Sequence, residues 1–275
     1  MNEPVINGKA LYTPKGAARE YAAVGCNFYT GCPHDCEYCY LKRGAPSKQL
    51  GGTEVKLKKC FKNHEDAVMR LCAEMDKYKE YLQKVGIFLS FTTDPLIPET
   101  RELTKATIIH ALSRSIPVML LTKNADFVNN EVFMSWMKLV RKDSVAFGFT
   151  LTGRNDMEPK ASTNEERILA MLNLHKMGFK TWASIEPIID IDSSLDMIQR
   201  TLGFCDLYKV GLRSGVKRDY YKDDDIMLML QRIWKYKMMD FGKFYIKDSI
   251  RKRLNNHPVI REITVSQDYN LFAHD

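Results

Sequence analysis

Hydrophobic positions along this chain fall into two alternating rhythms. Continuous apolar runs at 85–91, 117–121, 145–151, 182–189 and 207–210 are each short. Between them lie longer stretches in which apolar residues recur three and four apart. In 64–84, Val68, Leu71, Cys72 and Met75 share one helical face. Similar patterns predict helices over 98–115, with a proline near its start, over 131–141 and over 223–239. Two more, at 164–177 and 194–202, are followed by Gly178 and Gly203, residues suited to ending a helix. The apolar runs lack the polar alternation of half-exposed strands and read as strands buried on both faces. A last strand is predicted at 244–246 and a first one at 22–24.

Strand and helix alternate about six times, which predicts an α/β fold with a parallel sheet and right-handed crossovers. Periodicity alone fits a doubly wound sheet as well as a barrel. With no repeat, linker or low-complexity tract, residues 1–275 read as a single domain. It comprises an N-terminal extension (1–20), a core (21–211), and a C-terminal helix with an irregular basic tail (212–275). Residues 41–52, rich in Gly, Lys, Pro and Ser, read as a loop.

Composition narrows the setting. Of 275 residues 45% are hydrophobic and 27% charged, the balance of a protein with an ordinary core. No apolar run approaches the roughly 20 residues of a membrane span. Met1-Asn2-Glu3-Pro4 lacks the basic and apolar regions of a secretory signal. Seven cysteines, three of them clustered, fit the reducing cytoplasm. The net charge of +7 is concentrated at 56–62, 213–218 and 247–253. Such runs are solvated faces or surfaces that attract phosphates.

The clustered cysteines carry the chemistry. Cys32, Cys36 and Cys39 stand in the spacing C-x3-C-x2-C. A loop this short aims three thiolates at one place, where they bind a soft metal or an iron–sulfur core. Structural zinc and electron-transfer clusters take four protein ligands; three leave one iron of a cubane open. The alternatives are a zinc knuckle completed by Cys26 or His34, and an electron carrier with Cys26 as fourth ligand.

The run Asn27-Phe28-Tyr29-Thr30-Gly31-Cys32, with Cys36, Tyr38, Cys39 and Tyr40, resembles the cluster loop of the radical S-adenosylmethionine (SAM) enzymes, and within them the spore photoproduct lyase-like branch. The resemblance runs from about residue 21 to 211. It implies a partial (β/α)6 parallel barrel, a [4Fe-4S] cluster on Cys32, Cys36 and Cys39, and SAM on the open iron. An external one-electron reductant, flavodoxin- or ferredoxin-like, would drive SAM cleavage to methionine and a 5′-deoxyadenosyl radical. The substrate is left open, a nucleic acid among the candidates. The contrasting reading is a non-enzymatic, metal- or Fe–S-dependent nucleic-acid-binding protein.

Parallel α/β folds gather ligands at the C-terminal ends of their strands, so the residues there are the candidates. Thr92, Thr93 and Asp94 follow one strand. The resemblance puts Thr92 at the methionyl group of SAM; the plain reading of the segment is a helix cap. Lys123 follows the next strand, and the resemblance pairs it with the SAM carboxylate, a sound match of charge. Thr150 and Thr152 alternate so as to point one way and are similar to the family's ribose-binding pair. Arg167, after Glu158-Pro159, matches an arginine that positions a loop or a phosphate. Glu186, within an apolar strand, needs a partner if buried: substrate, adenine, or an ion pair with Lys209 or Arg213. Tyr38 and Tyr40 are similar to tyrosines proposed to relay a hydrogen atom or electron. One departure stands out. Phe91 occupies the place of the lyase's hydrogen-donor cysteine, which argues against thymine-dimer repair by the same scheme.

Overall fold

The structure is a computed structural model that describes residues 3–273; Met1, Asn2, His274 and Asp275 of the predicted domain, and so half of the segment read for a signal, lie outside the described residues, as do the side chains of Ala45 and Pro46. Ten strands are assigned among them: β1 (Leu11–Tyr12), β2 (Gly25–Cys26), β3 (Tyr29–Thr30), β4 (Lys56–Leu57), β5 (Ile87–Leu89), β6 (Val118–Thr122), β7 (Val145–Thr150), β8 (Lys180–Ile188), β9 (Leu207–Leu212) and β10 (Lys243–Ile246). The helices are α1 (Gly44–Leu50), α2 (His64–Lys77), α3 (Lys79–Val85), α4 (Arg101–Leu112), α5 (Glu131–Met137), α6 (Asn164–Lys176), α7 (Ile191–Thr201), α8 (Asp223–Met238), α9 (Asp248–Arg253) and α10 (Pro258–Ile263).

Eight strands form one sheet in the order β1-β2-β5-β6-β7-β8-β9-β10. All neighbours from β2 to β10 pair in parallel, and only β1 is antiparallel. The order never reverses. A doubly wound sheet reverses at its switch point, so the choice left open by periodicity falls to the partial barrel.

Strand alternation then sorts side chains between two faces. Val145, Phe147 and Phe149 of β7, with Ala183 and Ile185 of β8, join the large core beneath the helices. Their neighbours Ala146 and Trp182, with Phe88, Leu207 and Tyr245, form a separate cluster inside the barrel. Gly148 makes that interior possible: a Cβ there would lie 2.1 Å from Cε2 of Trp182. Helices begin where short polar side chains cap them. Asn63, Asn130 and Asp190 accept from the first turns of α2, α5 and α7, and Thr163 forms a full capping box with Glu166 on α6.

Four sequence expectations give way. The long helix at 64–84 breaks at Tyr78 (φ −114°, ψ 20°) into α2 and α3. The segment read as a loop at 41–52 holds a 3-10 turn (Tyr40–Lys42) and α1. The first strands flank 22–24 rather than span it. The irregular tail contains α9 and α10, and Val265, Tyr269, Leu271 and Phe272 beyond them pack into the interior cluster. Nor is the N-terminal extension loose. Glu74 of α2 accepts from the backbone N–H groups of Lys9, Ala10 and Leu11 at 2.7, 3.2 and 2.7 Å.

Candidate functional site

The cysteine loop is an excursion from the sheet, closed at its base by β3 pairing with β4. Gly31 opens it at φ +79°; a Cβ there would come within 2.0 Å of the Glu54 carbonyl oxygen. Cys32 N–H donates to Gly52 (2.9 Å), Glu37 N–H to Met157 (3.0 Å) and Cys39 N–H back to Cys36 (3.2 Å). His34 fastens the loop to the barrel through Asp94 (Nε2 to Oδ2, 2.8 Å).

Cys32, Cys36 and Cys39 line one cavity of about 570 Å³ at the C-terminal ends of the strands. Lys123, Thr93, Asp94, Thr150, Glu186, Tyr38 and Tyr40 line the same cavity. All three cysteines are free thiols. Burial, with the nearby Asp94 carboxylate, pushes the Cys32 thiol up to about 12, and burial raises Cys36 as well. Among the described residues, no three His, Cys, Asp or Glu side chains close around a single metal ion.

The alternative fourth ligands are committed elsewhere. Cys26 is fully buried in β2 and does not line the cavity. His34 bonds Asp94 and, through Nδ1, the Lys160 carbonyl at 3.2 Å.

The side chains at the strand ends divide in two. Lys123 follows β6 with its Nζ 5.5 Å from the Tyr38 ring centroid, and it enters no ion pair among the described residues. Burial depresses its amine, but the negative groups of Cys36 and Glu158 outweigh that and raise it. The Thr93 hydroxyl is buried without a partner. These are groups with bonding capacity to spare. Asp94, by contrast, is saturated. It accepts from Thr122 Oγ1 (2.7 Å) and from the N–H groups of Lys123 (2.7 Å) and Leu96 (2.9 Å), besides its bond to His34. Burial would raise its carboxyl; His34 and the two N–H groups overcome that and hold it below the ordinary value.

Thr92, Thr152 and Arg167 stand off the cavity wall. Thr92 donates to the Tyr29 carbonyl at 2.5 Å and Thr152 to Glu158 at 3.2 Å. Arg167, fully buried, spends its guanidinium on Glu158 (2.5 Å) and the carbonyls of Thr150 (2.6 Å) and Ser162 (2.8 Å). Tyr38 donates to the other oxygen of Glu158, and Tyr40, half exposed, to the Phe91 carbonyl.

Glu186 pairs with Lys247, not with Lys209 or Arg213. Its carboxylate also accepts from Tyr21 Oη (2.5 Å), whose oxygen lies 2.7 Å from Ser184 Oγ. Gly211 leaves room for the pair: a Cβ there would sit 2.8 Å from Glu186 Oε1 and 3.0 Å from Lys247 Cδ. Tyr21, Ser184 and Lys247 all line the cavity, and the sequence reading named none of them. Two signals were available: Lys247 directly follows a strand, and Ser184 shares strand parity with Glu186. Lys247 also belongs to a run read as a solvated or phosphate-attracting face, yet it is buried inside the barrel; Lys252 and Arg253 of that run pair with Asp248 and Asp223.

No family model matches the chain. An uncharacterized protein of Methanocaldococcus jannaschii is 28% identical over 193 residues, 66% of this chain and 67% of that protein. Spore photoproduct lyase, solved in complex with dinucleoside spore photoproduct, superposes with a TM-score of 0.62 at 15% identity, covering 85% of this chain and 78% of the lyase. Streptococcus suis SuiB bound to S-adenosylmethionine gives 0.57 at 12% identity, covering 87% of this chain and 52% of SuiB. The chain thus spans about half the length of SuiB. Its fold is the parallel partial barrel that it shares with spore photoproduct lyase and SuiB. Among the described residues no helix is long and apolar enough to cross a membrane.

Proposed function

We propose that this chain is a radical SAM enzyme whose Cys32, Cys36 and Cys39 hold a [4Fe-4S] cluster and whose cavity takes SAM. One observation carries the reading. The three free thiols share a single cavity with an uncommitted lysine, Lys123, and an unpartnered hydroxyl, Thr93. Three cysteines that share a cavity without closing around one ion suit a cluster, which divides its ligands among separate irons, better than one zinc, which gathers them about 2.3 Å from its centre. The diversion of Cys26 and His34 leaves three thiolates, the number that frees an iron for a second ligand.

With both groups bound, the site would supply reductive cleavage of SAM and so begin radical chemistry on a substrate C–H bond, the electron coming from an external flavodoxin- or ferredoxin-like donor. The chain's own work is binding and exclusion. Lys123 offers its ammonium to the carboxylate of the methionine moiety. Thr93 offers its hydroxyl to the same end, and Thr150, at the end of β7, to the ribose. Asp94 and His34 keep the cysteine loop at the barrel mouth. Phe91 and Tyr21, in edge contact at 6.2 Å between centroids, present an apolar wall that keeps water from a reactive carbon. Tyr38 and Tyr40 flank Cys39 on that cavity, where a hydrogen-atom or electron relay would have to stand. The chain would work as an intracellular protein.

Anaerobic incubation of the reconstituted protein with SAM and dithionite tests this. The expected result is 5′-deoxyadenosine, abolished by Cys36→Ala and reduced at least tenfold by Lys123→Met. A protein that carries zinc and leaves SAM intact would instead be the non-enzymatic metal-dependent binder.

A further inference from the structure

The cavity has a second wall that the cofactors do not require. Arg213 follows β9 directly and lines the cavity. Its Nε is buried with no acceptor, and its guanidinium enters no ion pair among the described residues. Arg101 also has a buried Nε without an acceptor, but it donates through Nη2 to the Leu96 carbonyl (3.2 Å) and does not line the cavity; two further guanidiniums are better matched. Arg167 reaches three acceptors, and Arg253 reaches Asp223 (2.5 Å) and the Tyr221 carbonyl (2.6 Å). A donor withdrawn from water without a partner is costly to the fold. Arg213 therefore carries an unmatched donor on a residue that lines the cavity.

Its surroundings reinforce that reading. Lys15 lines the same opening and is exposed, with no carboxylate partner among the described residues. Arg43 reaches across to the Ser214 carbonyl at 3.2 Å and so holds the loop after β9. That contact needs Gly215, at φ +72°, where a Cβ would sit 2.6 Å from Arg43 Nη1. Among the described residues, Arg43 enters no ion pair and donates to that carbonyl. Lys42, by comparison, is neutralised by Asp35 at 2.5 Å. The loop thus presents positive charge at the rim and leaves it unspent.

This wall is not the Lys123 wall. Strands β7 and β8 lie between β6, which Lys123 directly follows, and β9. Three strand spacings of about 4.8 Å put the backbones that carry the two cations on the order of 14 Å apart along the sheet.

We infer that the rim beside β9 is an oxyanion subsite in which Arg213, assisted by Lys15, takes a phosphate or carboxylate of the substrate, while Arg43 holds the loop after β9 in place. The planar guanidinium suits either group through two parallel N–H bonds, which a lysine does not reproduce. The inference deepens the proposed function by naming a chemical feature of the substrate. Its use as a substrate subsite rests on that reading, but anion binding itself does not.

Arginine modification tests it on the full-length protein, with and without the cluster and without SAM. Phenylglyoxal labelling is followed peptide by peptide by mass spectrometry, in the presence of inorganic phosphate, dimethyl phosphate or acetate. The expected result is that one of these anions slows labelling at Arg213 by fivefold or more while labelling at exposed Arg261 is unchanged. Protection by the phosphates points to a phosphorylated substrate, and protection by acetate to a carboxylate. Phosphate or acetate affinity, measured by calorimetry, should fall about tenfold in Arg213→Lys and further in Arg213→Met, and be retained in Lys123→Met. Equal labelling under all conditions would overturn the subsite, as would anion affinity that follows Lys123 instead of Arg213. Failure to cleave SAM, in contrast, would remove the radical reading and leave the anion result standing.

Discussion

Two ion pairs lie in the barrel wall, and they do opposite things. Glu158 and Arg167 are closed to solvent on both sides (0% and 0%). The hydrogen bonds of their side chains go to the end of β7, the loop after it, the Tyr38 hydroxyl, or each other. Glu186 and Lys247 are also inside, but the Glu186 side chain is 20% exposed and both residues line the cavity. The first pair is a buttress: it anchors the end of β7 and, through Tyr38, the cysteine loop. The second is a wall with capacity left over. Burial alone does not separate scaffold from site. What separates them is whether each donor and acceptor is already matched, and which way the remainder faces.

The sharpest break in this comparison is Arg167→Met. It leaves Glu158 as a buried, unpaired carboxylate, and a broken pair of this kind costs about 3–5 kcal/mol. Urea unfolding should show that loss and, under the proposed function, weaker retention of a reconstituted cluster. A loss below about 1 kcal/mol, the range of an exposed pair, would mean the buttress is ornamental. Glu186→Gln should cost less, about 1–3 kcal/mol, because Lys247 keeps Glu20 at 3.7 Å and Tyr21 keeps Ser184. The protein should fold, with any functional loss exceeding the stability loss. If Glu186→Gln proves as damaging to stability as Arg167→Met, the two pairs are one class.

The gentlest test is pH. Lys209 lies inside the barrel beneath the Glu186 pair, donating to the carbonyls of Glu20 (2.9 Å) and Tyr21 (2.7 Å). Burial, then the charge of Lys247, lowers its amine to about 7, partly opposed by Glu20 and Glu186. Below pH 7 the folded and unfolded chains both hold this proton, and the cost of burying the charge is fully present. Between about pH 7 and 10.5 the unfolded chain holds more protons, so this group makes stability rise with pH. Denaturation midpoints should show that rise in the wild type relative to Lys209→Met. Parallel profiles for the two proteins would remove the contribution.

The cysteine loop was legible because its signal is local: spacing along the chain is the geometry. The strand ends were legible by rule, and Lys123, Thr93, Asp94, Thr150 and Glu186 do face the cavity. Parity fails where a strand stops. β7 ends at Thr150, so alternation does not carry on to Thr152, and β5 ends at Leu89, before the Thr92–Asp94 segment. Arg167 carried a functional motif but answers to Glu158, a pairing across nine residues that composition does not reveal. Tyr21 was hidden for another reason. The segment before it is polar and reads as an extension, yet the Gly16–Glu20 turn brings Tyr21 between Phe88, Phe91 and Trp182 in the lumen. Its place is set by contacts far away in the chain.

The residues beyond α10 have a further consequence. Leu271 and Phe272, with Phe88, Ala146 and Leu207, fill the barrel below the cavity. The chamber is therefore a cul-de-sac. Among the described residues that end is plugged by side chains from the far end of the chain, so trimming them would open the floor of the chamber and leave its mouth untouched.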